Sequence, residues 1–174
     1  MVGWNVECNL DHIPQKCVFC VAPHTSNWDF IMGKLCYTAL NAGVKPKFLI
    51  KKAWTDFPFG LLIRPLGGIG VDRGGQNNLA ETVISEMEKH EQFQIAITPE
   101  GTRSRNANWK RGFYLIAERC KVPLVLVALD YNKKKTIIDH IFSPTGDIKA
   151  DMDTIKKWYV ERQITAKHPE NFAV

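Results

Sequence analysis

Lys16 to Ala22 reads Lys-Cys-Val-Phe-Cys-Val-Ala, and Pro23 stops the run. A short segment that is apolar at successive positions, not at alternate ones, marks a strand buried on both faces. That requires helices on each side of a largely parallel sheet. From Asn27 the period changes: Trp28, Ile31, Leu35, Ala39 and Ala42 recur at helical spacing and Gly43 closes the pattern. The chain is thus predicted to go from strand to turn to helix within some 30 residues, and the apolar stripe of the helix is expected to face the sheet.

The alternation continues. Lys47 to Lys51 reads as a second strand, and Trp54 to Leu66 as short helix and loop with an apolar surface. Asn77 to His90 carries Leu79, Val83, Ile84 and Met87 on one side and Glu81, Glu86, Glu88 and Lys89 on the other, which predicts a helix. Phe93 to Thr98 is a strand, Gly112 to Lys121 a helix, and Val122 to Leu129 an aliphatic strand with a central place. Lys135 to Phe142 reads as a strand at an edge, and Asp153 to about Lys167 as the last helix. Met1 to Lys16 shows no clear pattern. Strands alternating with helices predict an α/β domain, a three-layer sandwich around a mixed, mostly parallel sheet, spanning residues 1–174 as one unit.

Composition narrows the partners. The 174 residues are 45% hydrophobic and 24% charged, which suits a globular domain. A formal net charge of +5 and a sequence pI near 9.0 suit an anionic partner. The basic residues are dispersed and no nucleic-acid motif is present, so nucleic acid is not expected as a partner. No basic-then-apolar leader and no apolar run of about 20 residues occurs, so a cytoplasmic protein is expected, peripheral on the inner face of the cell membrane. Cys8, Cys17, Cys20, Cys36 and Cys120 are an odd set in apolar surroundings, consistent with free buried thiols. Cys17 and Cys20 lie three apart on a strand and so face opposite sides, which argues against a shared metal.

Three stretches carry chemistry. His24 and Asp29 stand at the turn between the first strand and its helix. An imidazole takes and returns a proton near neutral pH, and a carboxylate on one ring nitrogen fixes its tautomer. No serine or cysteine elbow accompanies the pair, so it would activate an external hydroxyl. Ser26 and Asp29 also fit a helix capping box. Gly67 to Arg73 (Gly-Gly-Ile-Gly-Val-Asp-Arg) reads as a glycine-rich turn that could let backbone approach an anion, with Arg73 as clamp. It matches neither phosphate-loop nor dinucleotide fingerprints. Pro99-Glu100-Gly101-Thr102-Arg103-Ser104 follows a strand. Here Glu100 and Arg103 either pair with each other, or Glu100 organises the arginines or a substrate hydroxyl while Arg103 takes phosphate.

In this order, His24-x4-Asp29, the block ending at Arg73, Pro99 to Ser104, and Val122-Pro123-Leu124-Val125 resemble the signature of the glycerolipid acyltransferases, typified by the 1-acylglycerol-3-phosphate acyltransferases. The likeness extends from about Pro23 to Ala128, and Ala22 to Phe30 is similar to short bacterial members. The resemblance implies acyl transfer from acyl-CoA or acyl carrier protein to a lysophospholipid hydroxyl, lysophosphatidate by default, with no bound cofactor or metal and no covalent acyl-enzyme. By position it makes His24 the general base and Asp29 its orienting partner. Arg73, Glu100, Gly101 and Arg103 become the glycerol-phosphate site. Backbone amides at the start of the helix from Asn27 are one candidate for oxyanion donors.

Family members often carry hydrophobic segments ahead of the first block, and here only Met1 to Ala22 precedes it. Phe57 to Ile63, flanked by Lys51, Lys52 and Arg64, is the first candidate for a membrane-facing or acyl-holding surface. The last helix, with Trp158 and Tyr159 among lysines, is a second. A non-catalytic module that binds anionic lipid or phosphate through Arg73 and Arg103 is the alternative function.

Overall fold

The strand read from Lys16 to Ala22 is β2, fourth of seven strands in the sheet, and the apolar run is explained by what covers it. Val18, Cys20 and Ala22 enter one apolar cluster, while Cys17 and Phe19 enter another on the opposite face. The computed structural model describes residues 3–40, 44–71 and 76–174. Among these the strands are β1 (Asn5–Cys8), β2 (Lys16–Ala22), β3 (Lys47–Lys51), β4 (Gly68–Val71), β5 (Phe93–Ile97), β6 (Leu124–Asp130) and β7 (Lys135–Phe142). Their order is β1-β7-β6-β2-β5-β3-β4, and every neighbouring pair is parallel except β6 with β7. The fold is α/β around a mixed, mostly parallel sheet.

The helices are α1 (Asn27–Leu40), α2 (Gly60–Ile63), α3 (Gln76–Glu88), α4 (Gly112–Arg119) and α5 (Ile148–Glu161). Tyr37 and Leu40 of α1 pack on the Cys17, Phe19, Val125, Val127 and Ile138 cluster. Val83, Ile84 and Met87 of α3, Phe113 and Ile116 of α4, and Ile155 and Trp158 of α5 share the other cluster with Leu124 and Leu126. All seven residues of β6 are buried, as a strand sandwiched between helical layers must be.

Four expectations change. In α1 the buried residues are Asp29, Met32 and Cys36, whereas Trp28, Ile31 and Leu35 are exposed. The helix is rotated by one residue position, about 100°, because Asp29 is drawn inward by four polar partners described below. Gly68 to Val71 is not a turn but the edge strand β4. A Cβ at Gly70 would stand 1.9 Å from Thr55 Oγ1, and one at Gly68 would stand 2.5 Å from Ile63 Cγ2. These glycines therefore let the 55–63 segment close down on the strand. β7 is not an edge strand, because β1, hidden in the unpatterned N-terminal stretch, pairs with it. The last helix begins at Ile148, five residues early, where the Asp147 side chain accepts hydrogen bonds from the amides of Lys149 and Ala150. Trp158 and Tyr159 are buried, so that helix presents no aromatic pair to a membrane.

Candidate active site

Parallel strands point their carboxyl ends to one edge, and ligand sites of open α/β sheets form there. β2 delivers His24 to that edge, β5 delivers Pro99 to Ser104, and β6 delivers Tyr131. Arg73 lies outside the described residues.

Asp29 makes the capping contacts foreseen for it and also lies beside the His24 ring. Its Oδ2 accepts from the amides of Thr25 and Ser26, each at 2.7 Å, and Ser26 Oγ accepts from the Trp28 amide at 3.1 Å, which is a capping box. The same Oδ2 lies 3.4 Å from His24 Nδ1. Among the described residues this buried Nδ1 makes no formed hydrogen bond, so Asp29 is its nearest acidic neighbour without being bonded to it. Burial raises the Asp29 carboxyl, but His24, the Tyr131 hydroxyl and the two amides outweigh it and hold the group below the usual carboxylate range. Asp29 is thus an anion fixed beside Nδ1, which leaves Nε2 as the basic nitrogen of a partly exposed ring.

Glu100 and Arg103 do not pair with each other. Glu100 is 2% exposed, and its Oε1 accepts from the His24 amide at 2.8 Å. Oε2 is buried with no hydrogen-bond partner among the described residues. Burial pushes this carboxyl up to about 7, against the amides and the charge of His24, with Asp29 adding to the rise. Arg103 Nη1 donates to Asn27 Oδ1 at 2.6 Å, across to the first residue of α1. Its partner is neutral, so its charge remains available to an anion. Gly101 has φ +66°, and a Cβ there would sit 3.1 Å from Lys110 Cγ, so the turn between Glu100 and Arg103 calls for glycine. Arg105 is directed away, onto the carbonyls of Glu170 and Phe172.

A comparison with family models matches residues 5–130 to the family described as Acyltransferase. That span is most of the chain and contains every block of the signature. The chain belongs to the glycerolipid acyltransferase family. A search of curated proteins found no match.

Two features of this acyltransferase were not read from its sequence. Tyr131 stands one residue past the matched span, and its hydroxyl donates to Asp29 Oδ1 at 2.6 Å. Trp4 packs edge-on against its ring with centroids 5.1 Å apart, and its amide is held by the Thr165 carbonyl. A polar residue just past the carboxyl end of a central strand was the available signal. The second feature is the use made of the amides at the start of α1. Those of Trp28 and Asp29 bond to Ser26, so these two are taken up within the turn and are not free oxyanion donors. Cavity space of about 1150 Å³ in all is spread over both faces of the sheet; its lining includes His24, Asp29, Gly101 and Lys110, and Phe19, Val21, Gly33 and Leu40 beneath α1. Among the described residues no helix is long and apolar enough to cross a membrane.

Proposed function

We propose that this acyltransferase moves a fatty acyl group from a thioester, acyl-CoA or acyl carrier protein, to the free hydroxyl of a lysoglycerophospholipid. The foremost acceptor is 1-acylglycerol-3-phosphate, giving phosphatidate. The observation that carries the reading is the His24–Asp29 contact at the carboxyl end of β2, with the carboxylate clamped by Tyr131, Thr25 and Ser26.

His24 Nε2 takes the proton of the acceptor hydroxyl as its oxygen bonds to the thioester carbonyl carbon. Asp29 stabilises the imidazolium across Nδ1. The tetrahedral adduct collapses with cleavage of the carbon–sulfur bond, and the thiolate takes the proton back from His24. One ester and one thiol result, with no covalent enzyme intermediate. General base catalysis of this kind contributes about 10² to 10⁴ in rate. A thioester is already activated, and holding donor and acceptor together contributes much of the remainder. Arg103, with Arg73, is the cation for the acceptor's phosphate. Glu100 serves this site by holding the His24 amide, and the apolar part of the cavity space under α1 accommodates an acyl chain.

The test is a panel of lysophospholipids offered with labelled acyl-CoA or acyl carrier protein, with products identified by mass spectrometry. Lysophosphatidate-dependent phosphatidate is the expected result. Ester formed only on another lysolipid would move the acceptor and keep the chemistry. No ester with any acceptor, alongside intact lipid binding, would replace the reaction with a binding module.

A further inference from the structure

The stripe of α1 that faces away from the sheet is part of a larger apolar surface. Leu35 is 55% exposed, and Trp28 and Ile31 lie on the same side of the helix at spacings of seven and four. The loop and short helices after β3 expose Trp54, Phe59 and Leu66, together with Phe57 at 86%, Leu61 at 76% and Leu62 at 70%. The two regions adjoin. Lys34 Nζ donates to the Leu66 carbonyl at 2.7 Å, and Phe30 packs edge-on against Phe48 with centroids 4.7 Å apart. An ordinary core segment would bury these side chains. Here Trp54 and Phe59 lie against each other, at 5.4 Å between centroids, and each stays half exposed.

Charge says what covers the surface. Residues 27–66 hold six lysines and arginines against two aspartates, so they supply four of the five net positive charges of the chain. One of the aspartates, Asp29, is buried, and the other, Asp56, is paired with Lys52. Lys34 and Arg64 donate to neutral carbonyls, those of Leu66 and Thr55, while Lys47 is paired with Glu86. Aromatic and aliphatic side chains set among exposed lysines and arginines match the boundary of a bilayer with anionic headgroups. The patch also starts beside the catalytic turn, since Trp28 lies between His24 and the rest of α1.

We propose that the outer face of α1 and the 54–66 segment together form a docking surface for an anionic lipid bilayer. This seats the carboxyl edge of the sheet at the headgroup level, with Phe57, Leu61 and Leu62 as the deepest side chains. The proposal draws its purpose from the lipid-acceptor reading, but its test reads binding alone. Vesicle binding without transfer would leave it standing and sink the reaction, and transfer to a dispersed acceptor without vesicle binding would do the reverse.

The experiment is co-sedimentation of the full chain with vesicles of phosphatidylglycerol in phosphatidylcholine and of phosphatidylcholine alone. Stronger binding to the anionic vesicles, weakened by salt, is expected. F57S/L61S/L62S should lower that binding about a hundredfold, and L35S about tenfold. Both variants should keep the wild-type rate on a short-chain acceptor that stays monomeric. So that the test does not depend on a variant's folding, tryptophan quenching by brominated lipid is measured on the wild type and on W54F. Quenching should be strong and should fall in W54F. Three results would overturn the proposal: unchanged binding by folded F57S/L61S/L62S, absence of quenching in the wild type, or a wild-type dimer in sedimentation velocity that this triple variant dissociates. The last would make a second copy of the chain the occupant.

Discussion

At the scale of single residues, the site is a set of buried polar atoms arranged around one partly exposed imidazole. Tyr131 is the residue whose role is most separable. Its hydroxyl is one of three donors to Asp29, so Tyr131→Phe leaves the carboxylate in place but less constrained. Loss of a hydrogen bond to a charged group costs about 1.5–3 kcal/mol. The expected outcome is a roughly tenfold drop in kcat with KM for the acceptor nearly unchanged, read from steady-state kinetics. A purely structural tyrosine would lower the melting temperature and leave kcat per folded molecule intact. Glu100 makes a different case. Its folded carboxyl is raised from the ordinary 4.5 to about 7, so the folded state holds this proton more tightly than the unfolded chain does. Its contribution to stability is full below about 4.5 and is lost as pH rises toward 7, by roughly 3 kcal/mol in all. Glu100→Gln keeps a carbonyl for the His24 amide and removes the ionisation. Urea unfolding at about pH 5 and about pH 8 should show the variant gaining on the wild type as pH rises. A constant difference between the two would contradict the buried carboxyl.

At the scale of elements, the strands were legible wherever they are covered on both faces. β2 has the bounds expected of it, and β5 and β6 differ only at their ends, because a strand between two helical layers is largely apolar; β3 also has its expected bounds, although it is only half-buried. β1 was not legible. Asn-Val-Glu-Cys at a sheet edge buries too little to leave a pattern, and its partner lies 130 residues away. The rotation of α1 was hidden for another reason. Hydrophobic periodicity assumes that the most apolar stripe faces inward, and here polar bonds to Asp29 outrank it. The glycines of β4 were mistaken for a turn because tight packing and sharp turning call for the same residue. Their packing role gives an outcome to measure. Gly70→Ala places a Cβ against Thr55, whose hydroxyl is already bonded to the Lys52 carbonyl, and it should destabilise the chain by about 1–3 kcal/mol in thermal unfolding. Thr55→Ala in the same chain should recover part of that loss. No loss at all in Gly70→Ala would mean that the 55–63 segment does not close on β4.

At the scale of the whole molecule, parallel strands gather distant residues at one edge. His24 and Arg103 are separated by three strands and three α-helices, yet Asn27 links their loops through a hydrogen bond to Arg103. Two of the ordered blocks, His24 to Asp29 and Pro99 to Ser104, were therefore a sound guide to which residues assemble. They did not reveal that Glu100 turns inward to the His24 amide, because an exposed and a buried glutamate look alike in a motif. The proposed catalytic pair at this edge and the apolar, basic surface beginning at Trp28 lie on one side of the molecule. The claim on which the rest depends is that His24 is the base. The direct measurement is thiol release from acyl-CoA or acyl carrier protein in the presence of lysophosphatidate, comparing the wild type with His24→Ala at matched folding. Acceptor-dependent release that falls by about 10³-fold or more in His24→Ala, with the melting temperature preserved, is the expected result. Equal release by the folded variant would contradict the account, and the capping box alone would then explain why His24 and Asp29 stand together.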